Sequence, residues 1–341
     1  MLVAGLGSIG RRHLRLVRAR LPEAQIMVLR HSGCSESVVG ADFCTTELEE
    51  ALDFAPQVAV IATPAPYHAA PAIALVRAGT HILVEKPMAA SAADARALAA
   101  EAQATGVVLQ VGYNLRFLES LATFRAAVLG GEIGRVGSVR AEVGQYLPDW
   151  RPGTDFRAGV SARSELGGGA LLELSHEIDY LRWIFGEVTR LRGWLGQQGG
   201  LGIDVEDTVH MLLEFASPLP DRSDGAAPVA VVTLDFIRRD TLRRCTAIGE
   251  TGTLTWDGVS SQLRLARPGA AEVLLFDRKP ERDATYVAQL DAFLASIATG
   301  SPVVVPGTDG AAVMEIVEAV RHSHATDGRA QVPEIKAQVR P

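Results

Sequence analysis

Three groups of residues in this 341-residue chain have types and spacings that can do chemistry. The first is Gly5-Leu6-Gly7-Ser8-Ile9-Gly10, which follows a short apolar run and opens a helical pattern. Gly5 permits a tight turn, Gly7 lets backbone N–H groups approach a pyrophosphate, and Gly10 lets the helix lie close to a sheet. The helix start adds partial positive charge, so Gly5, Gly7, Ser8, Ile9 and Gly10 form a candidate dinucleotide cradle, with Arg11 and Arg12 just beyond it. About 20 residues on, an acidic side chain would hold the ribose 2′-hydroxyl of NAD. Here the second apolar run ends Leu29-Arg30-His31-Ser32, and the next carboxylate is Glu36. Arg30, with His31 beside it, suits a 2′-phosphate, which favours NADP(H) with NAD(H) as the alternative. Arg30 stacking on adenine without discriminating is the competing reading.

The second group is Glu85-Lys86-Pro87, at the carboxyl end of an apolar run, the edge at which ligands bind in open parallel sheets. A lysine there can meet a substrate beside the cofactor, although an ordinary surface lysine satisfies the spacing equally well. The third is Glu173, His176 and Asp179, spaced every three residues behind Gly167-Gly168-Gly169. On one continuous helix they would share a side, with Leu171, Leu174, Ile178 and Leu181 as the apolar stripe. Flanking carboxylates can orient an imidazole for proton transfer, and a structural histidine is the alternative. Upstream, a loop carrying Tyr146, Trp150, Arg151, Arg157 and Arg163 offers aromatic faces for a sugar ring and guanidinium groups for a carboxylate or phosphate. A solvated loop pinned by Trp150 fits those residues as well.

Two kinds of patterning must position these groups. Over residues 1–113, short β-branched runs at 1–4, 26–29, 58–62, 81–85 and 107–111 read as buried strands. Helical segments separate them, one with Leu14, Val17 and Leu21 on a face and one opening with a Ser91/Asp94 capping box. Such alternation means a parallel sheet covered by helices. Over residues 114–341 the pattern changes. A helix at 115–129 precedes a strand in which Val139, Ala141 and Val143 alternate with polar residues. After an irregular loop at 147–166, a helix is expected at 170–185. Strands follow at 188–195, 208–215, 229–237 and 246–256, with shorter ones to 276, and helices at 286–298 and 308–325 close the chain. Residues 217–228 read as a hairpin insertion. Strands with few helices between them indicate an antiparallel or mixed sheet in an α+β domain.

Composition narrows the class. There are 33 Lys+Arg against 40 Asp+Glu, a net charge of −7 that argues against a nucleic-acid groove. No apolar run approaches the ~18 residues of a membrane span, and the first residues lack the basic lead of a signal peptide. Cys34, Cys44 and Cys245 are odd in number and widely spaced, and they read as small buried residues rather than a disulfide framework or zinc site. The expectation is a cytoplasmic two-domain protein without metal, nucleic-acid or membrane partners.

The motifs together resemble the Gfo/Idh/MocA family, the glucose–fructose oxidoreductase and inositol dehydrogenase group. The matching residues are the Gly5–Gly7–Gly10 cradle, Ala62-Thr63-Pro64 with His68, and Ala78-Gly79 with His81 leading into Glu85-Lys86-Pro87. Gly112-Tyr113-Asn114 with Arg116 and Phe117, the glycines before His176, and Asp309-Gly310 complete the set. The resemblance implies an α/β protein with an N-terminal Rossmann dinucleotide-binding domain (1–113). It also implies a C-terminal domain (114–341) whose large, mostly antiparallel open sheet mediates a homodimer or homotetramer. It further implies an NAD(P)-dependent oxidoreductase acting on a hydroxyl or keto carbon of a sugar, polyol or sugar derivative, anionic or nucleotide-linked ones included.

Lys86 matches the family's catalytic lysine and His176 its catalytic histidine, while Thr63, Pro64, His68, Glu85, Lys86 and Asn114 match positions lining the cofactor. The candidate substrate set is Lys86, Arg116, Trp150, Arg151, Arg163, His176 and Asp179. The family's acidic residue lies four before the histidine, where this chain has Leu172; Glu173 is the candidate replacement. In oxidation, His176 would take the hydroxyl proton and Lys86 would stabilise developing alkoxide. A non-catalytic NAD(P)-binding sensor is the alternative.

Overall fold

The structure is a computed structural model that describes residues 1–34, 37–216 and 227–333. Glu36 and most of the 217–228 insertion therefore lie outside the described residues. The chain divides into two compact units, Met1–Asn114 with Thr285–Met314, and Leu115–Ala284 with Glu315–Pro341.

In the first unit the elements run β1 (Leu2–Ala4), α1 (Ser8–Arg20), β2 (Met27–Leu29), β3 (Phe43–Thr45), α2 (Leu48–Asp53) and β4 (Val58–Ile61). They continue with α3 (Ala69–Arg77), β5 (His81–Val84), α4 (Ala92–Thr105) and β6 (Leu109–Val111). The strands form one parallel sheet in the order β3-β2-β1-β4-β5-β6. The order reverses between β1 and β4, so the loops leaving those two strands lie side by side at the carboxyl edge. The β-branched runs form buried strands because both faces of such a sheet are covered; Val3, Val60, Ile61, Leu83 and Val84 are fully buried. α4 begins as its capping residues require, with Ser91 Oγ accepting from the Asp94 N–H at 3.1 Å. Leu14 and Val17 of α1 are buried, and so is His13.

The second unit contains α5 (Glu119–Leu129), β7 (Val136–Gly144), α6 (Ala170–Glu173), α7 (His176–Phe185), β8 (Val188–Gly196), β9 (Thr208–Phe215), β10 (Val229–Asp235) and β11 (Leu242–Gly249). It continues with β12 (Thr253–Asp257), β13 (Gln262–Ala266) and β14 (Val273–Asp277). Along the chain there follow α8 (Ala284–Thr299), which belongs with the first unit, α9 (Gly307–Thr326), whose residues are divided between the two, and β15 (Ala330–Gln331) of the second. Nine strands form one sheet, β14-β13-β12-β11-β7-β10-β9-β8-β15, antiparallel except for the β7/β10 pair. Val139 and Ala141 of β7 are buried while Arg140 between them is exposed, the one-wet-face pattern of the sequence.

Several expectations need correction. The run at 246–256 is two antiparallel strands, β11 and β12, joined through Glu250–Gly252; Gly249 N–H donates to Gly252 O at 2.9 Å. The helix expected at 170–185 is broken into α6 and α7 at Leu174–Ser175. There the backbone bonds tighten from i−4 to i−3: Ser175 N–H reaches Leu172 O and Glu177 N–H reaches Leu174 O. The edge strand β3 has no counterpart in the sequence reading, being three residues of which only Thr45 is buried. Residues 285–314 belong with the first unit rather than with a contiguous 114–341 domain. Leu290 and Phe293 of α8 join the core cluster of Val3, Val17 and Val60, and Val111 N–H donates to Val305 O at 2.9 Å.

The cysteines differ as well. Cys34 and Cys44 form a disulfide, with Cα atoms 5.5 Å apart, and only Cys245 is a free buried thiol. Parallel pairing of β2 with β3 sets Cys44 opposite Val28 and brings the loop after β2 back onto β3, a proximity that sequence spacing does not reveal. Unfolded without reductant, the protein should therefore take up one thiol-alkylating group per chain by mass spectrometry, at Cys245. Three labels would remove the disulfide.

Candidate functional site

At the first unit's carboxyl edge, the glycine loop is built as its spacing suggests. Gly5 has φ +92°, and a Cβ there would lie 2.7 Å from Ala62 O, so this turn requires glycine. A Cβ on Gly10 would come within 2.0 Å of Gly5 O. A Cβ on Gly7 would meet no atom within 4 Å, so its outer side is open to a ligand. Gly7 caps α1 without any side-chain bond to the first turn, which leaves the Ser8–Gly10 end of the helix as an anion-binding terminus. The cradle therefore fits the pyrophosphate of a dinucleotide. Beside it, Arg30 is half-buried, with its Nη1 donating to Gly33 O at 2.7 Å, and His31 is exposed.

The next two loops are tied together. His68 is buried, with Nε2 2.6 Å from Thr63 O and Nδ1 3.0 Å from Pro87 O, so its ring spans from the loop after β4 to the loop after β5. Burial pulls its pKa below 6.5, against the opposing pull of those carbonyls and of Glu85. Thr63 Oγ1 donates to Tyr67 O at 3.1 Å, and Pro64 caps the short turn that follows. Lys86-Pro87 is a cis peptide. Glu85 is buried, with Oε1 accepting from His13 Nε2 at 2.6 Å and Oε2 accepting from the Lys86 backbone N–H at 3.2 Å. Burial would push its carboxyl up, but His13 and the Lys86 charge outweigh that and hold it below 4.5. Asn114 is buried and donates to Thr285 Oγ1 at 2.9 Å.

In the second unit, the break between α6 and α7 changes the expected row. Glu173 ends α6 and His176 begins α7, both half-buried, so three-residue spacing on one helix relates only His176 and Asp179. Asp179 is fully committed to Arg116: Nη2 donates to Oδ1 at 2.6 Å and Nε to Oδ2 at 3.0 Å, both side chains buried. The Arg116 guanidinium also faces the Trp183 ring. Gly169, just before α6, makes room for Glu206, since a Cβ there would lie 2.3 Å from its carboxylate. Glu206 Oε1 accepts from Leu171 N–H at 3.0 Å, and burial raises its pKa.

In the 147–166 loop, Trp150 packs edge-on against Phe236, ring centroids 5.1 Å apart, and its indole N–H donates to Gln145 O at 3.1 Å. Arg163 pairs with Glu165, and Arg151 is exposed. The chain thus brings the cradle, Thr63, Pro64, His68, Glu85, Lys86 and Asn114 together within the first unit, and Arg116 and Asp179 together within the second. Sequence reasoning missed His13, Glu206 and the Arg243–Glu177 pair beneath α7 at 2.8 Å. A buried-face histidine three residues after Gly10 was the available signal for His13.

Two measurements follow. His68 and Glu85 both titrate below their ordinary values in the fold, so over each window the unfolded chain binds more protons and stability falls on acidification. The loss should begin near pH 6.5 for His68 and near 4.5 for Glu85. His68→Gln should flatten the fall in Tm between pH 6.5 and 4.5, and an unchanged slope would refute the assignment. Asp179→Ala strands the Arg116 charge in the interior and should cost about 3–5 kcal/mol in denaturant unfolding. Arg163→Ala, at a mostly exposed pair, should cost less than about 1 kcal/mol.

Comparison with known proteins accords with this architecture. Residues 1–113 match the Gfo/Idh/MocA model for an oxidoreductase family with an NAD-binding Rossmann fold, and residues 121–255 match the Gfo/Idh/MocA C-terminal domain. A 1,5-anhydro-D-fructose reductase of Ensifer adhaerens is 32% identical over 159 residues, which is 46% of each chain. A levoglucosan dehydrogenase of Pseudarthrobacter phenanthrenivorans is 32% identical over 183 residues, again 46% of each. The chain thus spans about half the length of the curated relatives it matches. A solved levoglucosan dehydrogenase in complex with NADH shares the fold at a TM-score of 0.82 and 22% identity, covering 98% of this chain and 99% of that one. With models of both domains matched in order along one sequence, the chain belongs to the Gfo/Idh/MocA oxidoreductase family.

Proposed function

We propose that this protein is an NAD(P)-dependent oxidoreductase acting on a hydroxyl or keto carbon of a sugar, polyol or sugar derivative. The observation that carries the reading is the joining, within one unit, of an open glycine cradle at Gly7 and a lysine fixed at the carboxyl end of β5 beside a buried, ionised Glu85. Gly5, Gly7, Ser8, Ile9 and Gly10 would hold the pyrophosphate, and Thr63, Pro64 and Asn114 would line the nucleotide. When bound, NAD(P) supplies the hydride acceptor or donor.

The chain's own groups do the rest. Lys86, as an ammonium, donates a hydrogen bond to the reacting substrate oxygen and stabilises the alkoxide that develops there. His176 takes the hydroxyl proton during oxidation and returns it during reduction. Glu173, at the end of α6 ahead of that histidine, is its acidic partner. The names of the relatives, a reductase of an anhydro-keto sugar and a dehydrogenase of an anhydrosugar, support a carbohydrate substrate. Arg151, exposed in the 147–166 loop, supports an anionic group on it. Trp150 and Arg163 have partners that hold the 147–166 loop, and Arg116 and Asp179 are paired in the interior beside α7, so these four support the site rather than supply free hydrogen-bonding groups.

For the cofactor, Arg30 beside the cradle supports NADP(H) over NAD(H); Asp42, the described carboxylate of the loop that follows it, is held by Arg18 Nη2 at 2.7 Å and by the Ile26 N–H at 2.8 Å. A cytoplasmic homodimer or homotetramer completes the reading, assembled through the wet face of the nine-stranded sheet, where Trp194 and Val231 are exposed.

Fluorescence titration with NADPH and NADH, followed by turnover on a panel of keto-sugars and polyols, tests the proposal. Lys86→Met should lower kcat by roughly 10²–10⁴-fold while cofactor affinity is kept. Near-normal turnover in that variant would remove Lys86 from the chemistry, and binding without consumption of any substrate would make the protein a sensor instead.

A further inference from the structure

α1 does two jobs along one face. Its first turn opens the cradle, and one turn later His13 points into the interior, fully buried. Nε2 of His13 donates to Glu85 Oε1 at 2.6 Å, and the other carboxylate oxygen accepts from the main-chain N–H of Lys86 at 3.2 Å. An unbroken path thus leads from the cofactor helix, through a charge, to the residue that bears the reacting ammonium. The surroundings are built for it. A Cβ on Gly112 would lie 2.9 Å from Glu85 Oε2, so glycine leaves the carboxylate its place. Tyr286 of α8 packs edge-on against the His13 ring at 5.9 Å, and the Arg12 guanidinium covers the other part of that tyrosine at 4.6 Å. Apolar side chains at 13 and 85 would fill this space without the cost of taking a carboxylate out of water, so packing alone does not call for the pair.

We propose that His13 is a positioning residue for Lys86, acting through Glu85: it holds the carboxylate that accepts from the Lys86 main-chain N–H. The inference rests on the assignment of Lys86 given above and adds a residue to it. His13 itself touches neither substrate nor cofactor in this scheme. Its contribution is to tie the lysine's position to the helix that grips the pyrophosphate, so that nucleotide and ammonium are held in one register.

The chain offers a clean spectroscopic handle, because it has only three lysines, Lys86, Lys279 and Lys336. Reductive ¹³C-methylation gives one dimethyl-lysine signal for each, and Lys86→Arg identifies that of Lys86. Four proteins are compared: wild type, His13→Leu, His13→Gln (which keeps an N–H able to reach Glu85) and Glu85→Gln. His13→Leu is expected to lower kcat roughly 10- to 100-fold, with NADPH affinity and substrate KM within about 3-fold of wild type. It should also shift the Lys86 signal and leave that of Lys279 in place. His13→Gln is expected to recover most of the loss and the wild-type signal position.

A wild-type kcat with an unmoved Lys86 signal in His13→Leu overturns the proposal. So does a defect confined to NADPH affinity, or a His13→Gln variant as impaired as His13→Leu. Should His13→Leu fail to fold, Glu85→Gln decides: a moved Lys86 signal with a lowered kcat supports the path, and an unmoved one ends it. If wild type turns over nothing, or Lys86→Met turns over normally, the oxidoreductase assignment falls, and the methyl signals still report whether His13 places Lys86.

Discussion

A carboxylate taken out of water must be met by positive charge or by hydrogen-bond donors, and Glu85 is where this fold meets that demand. Its side chain is buried at the end of β5, and the two groups that answer it, His13 and the Lys86 main chain, come from different elements. Satisfying it draws α1 against the carboxyl edge of the sheet and fixes the start of the loop after β5. Gly112 at the end of β6 then gives way to make the space. His68 closes the other side of the same loop by spanning from Thr63 to Pro87. The placing of α1, of the Lys86 main chain and of the loop after β4 thus converges on one small polar core at the edge of an otherwise apolar sheet.

The second unit solves its electrostatic problem differently. Arg116 and Asp179 form a two-pronged buried pair, and Arg243 and Glu177 form another beneath the same helix. Together they anchor α7 from two sides with directional bonds. A helix of ten residues is short for autonomous stability, so its orientation comes from these pairs and from Ile178, Leu181 and Phe185 in the core. His176 at its first position inherits that orientation. The Glu206 carboxylate performs the matching task for α6, where Gly169 leaves room for it.

Much of the fold was legible because the relevant physics is local. Buried parallel strands demand short β-branched runs, and those at 58–61 and 81–84 were plain. The serine at 91 could be read as a helix start from its own side chain and that of Asp94. The cradle was legible for the same reason, since Gly5 and Gly10 are required by contacts within a few residues or with the next strand. What escaped depended on partners distant in sequence. The stripe of Leu171, Leu174, Ile178 and Leu181 is as compatible with one helix as with two, and the break at Ser175 leaves no mark in periodicity. β3 exists because β2 offers it an edge. Asp179 resembled a group facing a cleft, and only Arg116, 63 residues away, turns it inward. His13 gave a signal, a histidine on the buried side of α1, but its partner lies 72 residues on.

The return of α8 to the first unit makes that unit discontinuous in sequence. Val3, Leu14, Val17 and Val60 form part of a core that Leu290 and Phe293 complete. During synthesis, residues 1–114 leave the ribosome long before those two side chains exist, and their apolar flank waits bare while about half the polypeptide is made. A truncated N-terminal piece would expose the same greasy flank and self-associate through it. The domain most easily recognised in the sequence is therefore the one least suited to expression alone, and grafting it onto another protein would require the α8 segment to travel with it.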